Sequence, residues 1–262
     1  MSAHAVDQYV DFCEGFRRLT GIDLSQYKRT QMERRIRSFA SGRGLPELAR
    51  YLRLIADDAT ELQAFLDRVT INVSQLWRNP EVWEALAAKE LPELAAGGRI
   101  RIWSAGCSYG AEAYTLAALC LQLPGRTSVE VTGTDIDKRV VERARGGRFS
   151  QDDARSAPAK LLARWFEQDG DAFVANRELK AVTRFDAGDL LRMPFPSARY
   201  DLVVCRNTVI YFAEPVRDEL HTRLSSAIRP GGYLLIGSTE RVSDAAGMGL
   251  EPVRPFLYRK AA

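Results

Sequence analysis

Residues Arg99 to Tyr114 read R-I-R-I-W-S-A-G-C-S-Y-G-A-E-A-Y. The apolar run Ile100-Arg101-Ile102-Trp103 has the character of a buried strand, and Gly106 and Gly110 turn it into a helix with Glu112 in its first turn. A glycine turn between strand and helix brings backbone N–H groups near a ligand, because a Cβ would block the approach. Such a turn suits a nucleotide-type site, and it equally suits a plain tight corner.

After Gly97-Gly98 the chain alternates strand and helix. Strands are expected at Arg99 to Ala105, Val129 to Thr134, Ala181 to Asp186, Tyr200 to Cys205, Tyr233 to Gly237 and Phe256 to Arg259. Helices are expected over Glu112 to Gln122, Lys138 to about Arg145 and Pro215 to Ile228. Repeated strand-helix units give a doubly wound parallel sheet, with ligand at the carboxyl ends of the first strands. Trp165 to Ala175 breaks the alternation, since Asp169-Gly170-Asp171 between two short apolar runs is a hairpin signature. It marks a small antiparallel insertion.

Before the sheet the pattern is helical. Met32, Ile36, Phe39 and Ala40 recur at helix-face spacing within Thr30 to Ala40, and Arg34 and Arg37 project opposite them. Further helices are expected over Pro46 to Asp57 and Thr60 to Val69, and the β-branched, polar stretch Thr70 to Pro80 reads as a linker. Asn79 is expected to cap the helix Glu81 to Lys89, with Pro80 in its first turn. The organisation is therefore a helical domain over 1–69, a linker and connecting helix over 70–98, and a sheet domain over 99–262, with the β insertion at about 149–181.

Composition narrows the function classes. The 262 residues are 46% hydrophobic and 27% charged, as in ordinary globular proteins, and no apolar run approaches the ~18 to 20 residues of a membrane span. With a polar start to the chain, a cytoplasmic protein without membrane insertion is expected. Four scattered cysteines lack C-x-x-C spacing, which points to reduced thiols and no metal site. Only His4 and His221 are histidines, so paired-histidine chemistry is nearly excluded. The segment Arg17 to Arg53 carries ten basic and three acidic residues against a net charge of +3 for the whole chain, which implies an acidic partner or a solvated helix face.

The chemistry-bearing residues select among ligands. The second strand ends in Gly133-Thr134-Asp135-Ile136-Asp137, where a carboxylate can accept from two ribose hydroxyls; Asp135 is favoured for the ribose and Asp137 for a helix cap. Glu112 would repel a pyrophosphate at the helix start and hold an ammonium group, or else serve only as a first-turn partner of the helix dipole. Ribose and ammonium without phosphate suggest S-adenosylmethionine. Gly106-Cys107-Ser108-Tyr109-Gly110 also satisfies the G-x-S-x-G elbow of hydrolases, but His221 lies within a helix, where a triad histidine is not expected. At the end of the Tyr200 strand, Cys205-Arg206-Asn207 and Tyr211 place polar groups where substrate would meet cofactor, and a buried Arg206 would need a partner.

The sequence resembles the chemotaxis receptor methyltransferases, the CheR family, in ordered blocks along nearly the whole chain. These are Gly21-Ile22, Tyr27-Lys28 and Arg34-Arg35; Asn72, Ser74, Arg78 and Asn79 in the linker; Gly106-Cys107-Ser108, Gly110, Glu112 and Tyr114; Asp135-Ile136-Asp137; Cys205-Arg206-Asn207 with Ile210-Tyr211-Phe212; and Leu234 to Glu240. The resemblance implies a class I S-adenosylmethionine-dependent methyltransferase sheet, behind an all-helical domain, that methylates glutamate side chains of bacterial chemoreceptors.

By that similarity Glu112 binds the methionine amino group, Asp135 the ribose, and Asp189-Leu190 the adenine. Asn72 and Ser74 border the methionine end, Gly106, Arg78, Arg206 and Asn207 line the cofactor site, and Arg78 and Tyr211 sit at the methyl group as catalytic residues. S-adenosylhomocysteine is the product and no metal is implied. The partner is the acidic methylation helices of receptors, met by Arg34, Arg35 and Arg37 of a monomeric enzyme. A nucleic-acid substrate is disfavoured, since an Asn-Pro-Pro-Tyr type base pocket is lacking. Departures from the family pattern are Leu76-Trp77, Ser74, Ala111, Ala113 and Asp189, and the altered linker leaves open a regulatory protein that binds the cofactor with little turnover. The hairpin loop Glu167 to Asp171 is short beside family members that dock a receptor's C-terminal pentapeptide, so independence from that tether is expected.

Overall fold

The computed structural model describes residues 7–70 and 73–262. The chain divides into two compact units, Met1–Ile71 with Tyr211–Arg217, and Asn72–Ile210 with Asp218–Ala262.

The helical unit contains α1 (Gln8–Thr20), α2 (Arg29–Gly42), α3 (Leu48–Asp57) and α4 (Ala59–Thr70). Asp7 caps α1 by accepting from Tyr9 N, and Gly21 ends it at φ 80°, a conformation that favours glycine. Met32, Ile36 and Ala40 form the buried stripe of α2. They meet a nucleus in which the Phe65 ring stands edge-on to Phe12, Phe16 and Tyr51, with centroids 5.8, 5.2 and 5.7 Å away. Edge-to-face pairs contribute about 0.5–1.5 kcal/mol each beyond area burial. The returning segment joins this unit through an antiparallel bridge between Tyr27 and Phe212, with Lys28 N donating to Tyr211 O and Ala213 N to Gln26 O, each at 2.9 Å.

The sheet unit opens with α5 (Pro80–Ala85), a π turn (Leu86–Glu90) and α6 (Leu91–Ala95). Then follow β1 (Arg99–Ala105), α7 (Ala111–Cys120), β2 (Ser128–Asp135), α8 (Lys138–Gly146), β3 (Arg148–Ser150), α9 (Gln151–Ala154), α10 (Ala159–Trp165), β4 (Phe166–Asp169), β5 (Ala172–Ala175), α11 (Arg177–Val182), β6 (Thr183–Ala187) and β7 (Tyr200–Cys205). α12 (Glu214–Ala227) leads to β8 (Ile228–Ile236), β9 (Leu250–Arg254) and β10 (Leu257–Lys260). The seven-stranded sheet has the order β6-β2-β1-β7-β8-β10-β9, parallel except at β10 and β9. Every residue of β7 is buried, as expected of a central parallel strand covered on both faces. α7 is apolar nearly all round and buried accordingly, among Tyr114, Leu116 and Leu119. β3, β5 and β4 form the small antiparallel sheet, whose β4-β5 hairpin turns through Gly170 and Asp171 alone.

Four elements differ from the sequence expectation. Residues Ala181 and Val182 close α11, a short helix capped by Asn176 accepting from Leu179 N at 3.0 Å, so β6 begins only at Thr183. β8 begins at Ile228 and runs through Pro230-Gly231-Gly232, whose turn-like composition is absorbed by a register shift against β7 between Tyr200 and Leu202. β9 is an additional strand; Pro252 is tolerated because β9 lies at the sheet edge, where the missing N–H breaks no ladder. β3 adds a third strand to the insertion. Among the described residues no helix is long and apolar enough to cross a membrane.

Candidate cofactor and active site

The turn after β1 uses its amides internally. Gly106 N and Cys107 N both donate to Thr134 O, at 2.8 and 3.0 Å, Gly110 N donates to Cys107 O at 3.0 Å, and Ser108 N donates to Asp135 Oδ2 at 2.8 Å. The expectation of N–H groups aimed at a ligand is corrected for Gly106, Cys107 and Ser108: the strand order brings the end of β2 beside this turn, and β2 takes these three donors. Gly106, at φ 81°, owes its identity to a close approach, because a Cβ there would collide with the Thr208 side chain. Gly110 caps α7 at φ 86°, and its Cβ would meet Ala144 and Phe185.

In the first turn of α7, Glu112 projects its carboxylate to the ends of β1 and β7. Its Oε1 accepts from Ser104 Oγ at 2.7 Å, and its Oε2 faces Arg206 NH1 at 3.5 Å. Burial raises the Glu112 pKa, while Arg206, the Ser104 hydroxyl and Arg78 pull it down. Arg206, with its side chain 3% exposed, also donates to Asn79 Oδ1 at 2.9 Å and Arg78 O at 3.4 Å, and lies 4.9 Å over the Trp83 ring. Asn79 stands at φ 61° and makes no side-chain cap on α5, contrary to the sequence expectation; its amide oxygen is engaged by Arg206 instead. Asn79, Arg78, Glu112 and Arg206 thus form one cluster.

Asp135 ends β2 at 9% exposure, accepting from Ser108 N and, at 3.1 Å, from Asp137 N. Its pKa is raised by burial, against the pull of those amides. Asp137 caps α8 through Arg139 N and Val140 N, as expected from the sequence. Gly188 N donates to Asp135 O at 2.8 Å, which brings Asp189 and Leu190 to the end of β2. The Asp189 carboxylate accepts from Leu191 N at 2.9 Å and pairs with Arg192 Nε at 3.5 Å, and Leu190 is buried. Sequence reasoning missed Arg223 of α12, which donates to Leu190 O at 2.7 Å and Met193 O at 2.5 Å and lies 4.2 Å over the Phe195 ring. No local signal marks it, since these acceptors are about thirty residues away.

The linker is tied down on its own unit. Tyr109 OH has both Ser74 O and, at 2.8 Å, Asp153 Oδ1 within reach as acceptors for its single proton. Leu76 and Trp77 are buried, and Trp77 N donates to Thr115 Oγ1 at 3.0 Å, so this departure from the family pattern falls in the core. Arg78 is half-buried and donates to Val73 O at 3.2 Å. Asn207 takes φ 58° immediately after Arg206. Tyr211 belongs to the helical unit, where the Arg35 guanidinium lies 5.4 Å over its ring. Arg34 and Arg37 are exposed on α2, Arg37 paired with Glu33 at 2.8 Å. Asn72 lies outside the described residues.

This donor set suits one kind of ligand. The turn presents acceptor-only carboxylates in Glu112 and Asp135, and the Gly106, Cys107, Ser108 and Gly110 amides are already bonded within the protein. Each of these oxygens keeps acceptor capacity for an ammonium or a hydroxyl. Ser108 Oγ and Arg206 Nε are buried with no hydrogen-bond partner among the described residues. A methionine-and-nucleoside cofactor without phosphate fits these residues. The four cysteines are free and buried, with the Cys107 and Cys205 thiols raised by burial into an inert range.

Residues 7–70 match the family described as the CheR methyltransferase all-alpha domain, and residues 72–250 match the CheR methyltransferase SAM-binding domain. The chain is 32% identical over 254 residues to a chemotaxis protein methyltransferase of Listeria monocytogenes, covering 96% of this chain and 97% of that protein. It is 30% identical over 254 residues to a chemotaxis protein methyltransferase of Borreliella burgdorferi, covering 92% and 89%. It is also 29% identical over 251 residues to a probable biofilm formation methyltransferase of Pseudomonas aeruginosa, covering 92% of this chain and 59% of that protein.

Proposed function

The chain belongs to the CheR methyltransferase family, and on that footing we propose that it methylates glutamate side-chain carboxylates of bacterial chemoreceptors, giving methyl esters and S-adenosylhomocysteine. The family supplies the coarser statement: this is an S-adenosylmethionine-dependent methyltransferase of chemotaxis signalling. The observation that carries the site is Glu112, a carboxylate held by Ser104 and Arg206 at the start of α7, beside a turn whose Gly106, Cys107 and Ser108 amides are bonded to β2. Such a site rejects a phosphate and accepts an ammonium.

When bound, S-adenosylmethionine supplies an electrophilic methyl group on a sulfonium sulfur. Glu112 holds the amino group, Asp135 the ribose, and the Asp189-Leu190 segment, clamped by Arg223, borders the adenine. The acceptor glutamate needs no general base, since a carboxyl of ordinary pKa ~4.3 is ionised at neutral pH. Arg78 grips one carboxylate oxygen in its fork and leaves the other free to react, and Tyr211 donates a hydrogen bond that sets the approach. Arg34, Arg35 and Arg37 of α2 meet the acidic receptor helices. The enzyme works as a cytoplasmic monomer without metal. The two-residue turn between β4 and β5 supports independence from a receptor pentapeptide tether.

Transfer of a radiolabelled methyl group to the cytoplasmic domains of cognate receptors tests this function. We expect base-labile label on wild-type reactions and its loss in Arg78→Ala, with S-adenosylhomocysteine affinity retained. Cofactor binding without transfer to any cognate receptor would instead favour the regulatory reading. Nanomolar to low-micromolar calorimetric affinity for a receptor C-terminal pentapeptide would overturn tether independence.

A further inference from the structure

Glu240 is a buried carboxylate that the roles assigned above do not use. It is 7% exposed, and among the described residues it has no ion-pair partner. Its oxygens accept from backbone amides instead: Oε1 from Thr208 N at 3.0 Å and Oε2 from Gly237 N at 2.5 Å. Burial raises its pKa, and the amides of Gly237, Asn207, Thr208 and Val209 oppose that rise. A buried carboxylate satisfied by amides alone is costly to desolvate, so packing does not account for it.

Its position does. The amides it gathers belong to the segment leaving β7 and to the end of β8, two neighbouring strands. A Cβ on Gly237 would stand 2.7 Å from Glu240 Oε2 and 2.9 Å from Asn207 N, so the carboxylate, the glycine and the segment fit together only without a side chain at Gly237. Asn207, just before the Thr208 amide that Glu240 accepts from, stands in the left-handed region at φ 58°. On one side of this segment Arg206 reaches Glu112 and Asn79; on the other Thr208 packs on Gly106 of the β1 turn.

We infer that Glu240 is a positioning residue of the methyl-transfer site: its carboxylate gathers the backbone amides after β7 so that Arg206 counters Glu112 and Thr208 supports the cofactor turn. This rests on the assignment of Glu112 to the cofactor's ammonium group. Glu240→Gln is nearly isosteric but keeps one acceptor oxygen in place of two, leaving a buried amide unsatisfied.

The test is calorimetric affinity for S-adenosylhomocysteine at a temperature where each variant is fully folded, checked by thermal unfolding. Glu240→Gln is expected to weaken binding about tenfold, and Glu240→Asp, which keeps both oxygens, by less. The loss should be non-additive with that of Arg206→Lys, because both act on one segment. If Glu240→Gln does not fold, Gly237→Ala displaces the same carboxylate and should weaken binding similarly. Folded Glu240→Gln or Gly237→Ala with wild-type affinity overturns the role, as does strict additivity with Arg206→Lys. Wild-type protein that fails to bind S-adenosylhomocysteine overturns the cofactor assignment itself, and binding without methyl transfer overturns only the receptor function.

Discussion

In the helical unit Glu33 accepts from Arg29 at 3.1 Å and Arg37 at 2.8 Å, with the arginine side chains 54% and 44% exposed. In the sheet unit Glu112 meets Arg206 at 3.5 Å, with side chains 13% and 3% exposed. Both are glutamates facing arginines, and their acidities shift in opposite directions. Hydrogen bonding to Arg37 heads the causes that lower the Glu33 pKa, whereas burial dominates at Glu112 and raises it. Water makes the difference. On α2 the charges stay solvated, their attraction is screened, and they can exchange partners at little cost. Around Glu112 the ions have lost their water, so each depends on the other and on Ser104 and Asn79 for its geometry. The exposed cluster can greet a variable acidic surface; the buried one can hold a single ligand group in one place.

The strongest way to break this contrast is Arg206→Met. It strands a buried carboxylate, and we expect the sheet unit to lose about 3–5 kcal/mol in urea unfolding at pH 7. With its counterion gone, the folded-state pKa of Glu112 rises further above its unfolded value. Stability is then fullest below the unfolded pKa and falls as pH rises through the folded one, so the deficit should shrink on acidification to pH 5.5. A deficit independent of pH would place the lost energy elsewhere.

A smaller effect concerns binding. Glu112 must be ionised to hold an ammonium, so S-adenosylhomocysteine affinity should fall on acidification from a pH above the ordinary carboxylate range. Glu112→Gln should bind weakly and lack that component of the calorimetric pH profile. A wild-type profile flat down to the ordinary range would remove Glu112 from the ammonium site.

The smallest effect is expected at Glu33→Ala. It releases Arg29 and Arg37 but should leave the urea midpoint near that of wild type, since exposed pairs contribute little. At low ionic strength the freed cations should speed methylation of acidic receptor fragments, and salt should erase the gain. A large loss of stability here would end the contrast between the two pairs.

Much of the architecture is legible in local pattern. The helix-face spacing of Met32, Ile36 and Ala40 emerges as the buried stripe of α2, β1 spans the expected residues Arg99–Ala105, and Asp137 caps α8. The lapses have physical causes. Pro252 disguises β9 because composition does not reveal an edge, and Pro230-Gly231-Gly232 resembles a turn because a register shift is a property of the paired strand. Asn79 has the residue type and spacing of a cap, but a buried guanidinium engages its amide oxygen.

By itself the sequence determined the periodicities of 3.6 and 2, the glycine turn after β1, and a carboxylate in the first turn of the following helix. These are consequences of neighbours along the chain. Only the tertiary structure decided which groups meet. The strand order put Thr134 O beside the Gly106 and Cys107 amides, and so replaced a cradle for anions with acceptors for a cation. Arg206 reaches Glu112 across 94 residues and Asn79 across 127, and Glu240 reaches Thr208 across 32. A polar side chain that loses its water must be satisfied by whatever the fold brings within reach, and no local spacing specifies that partner.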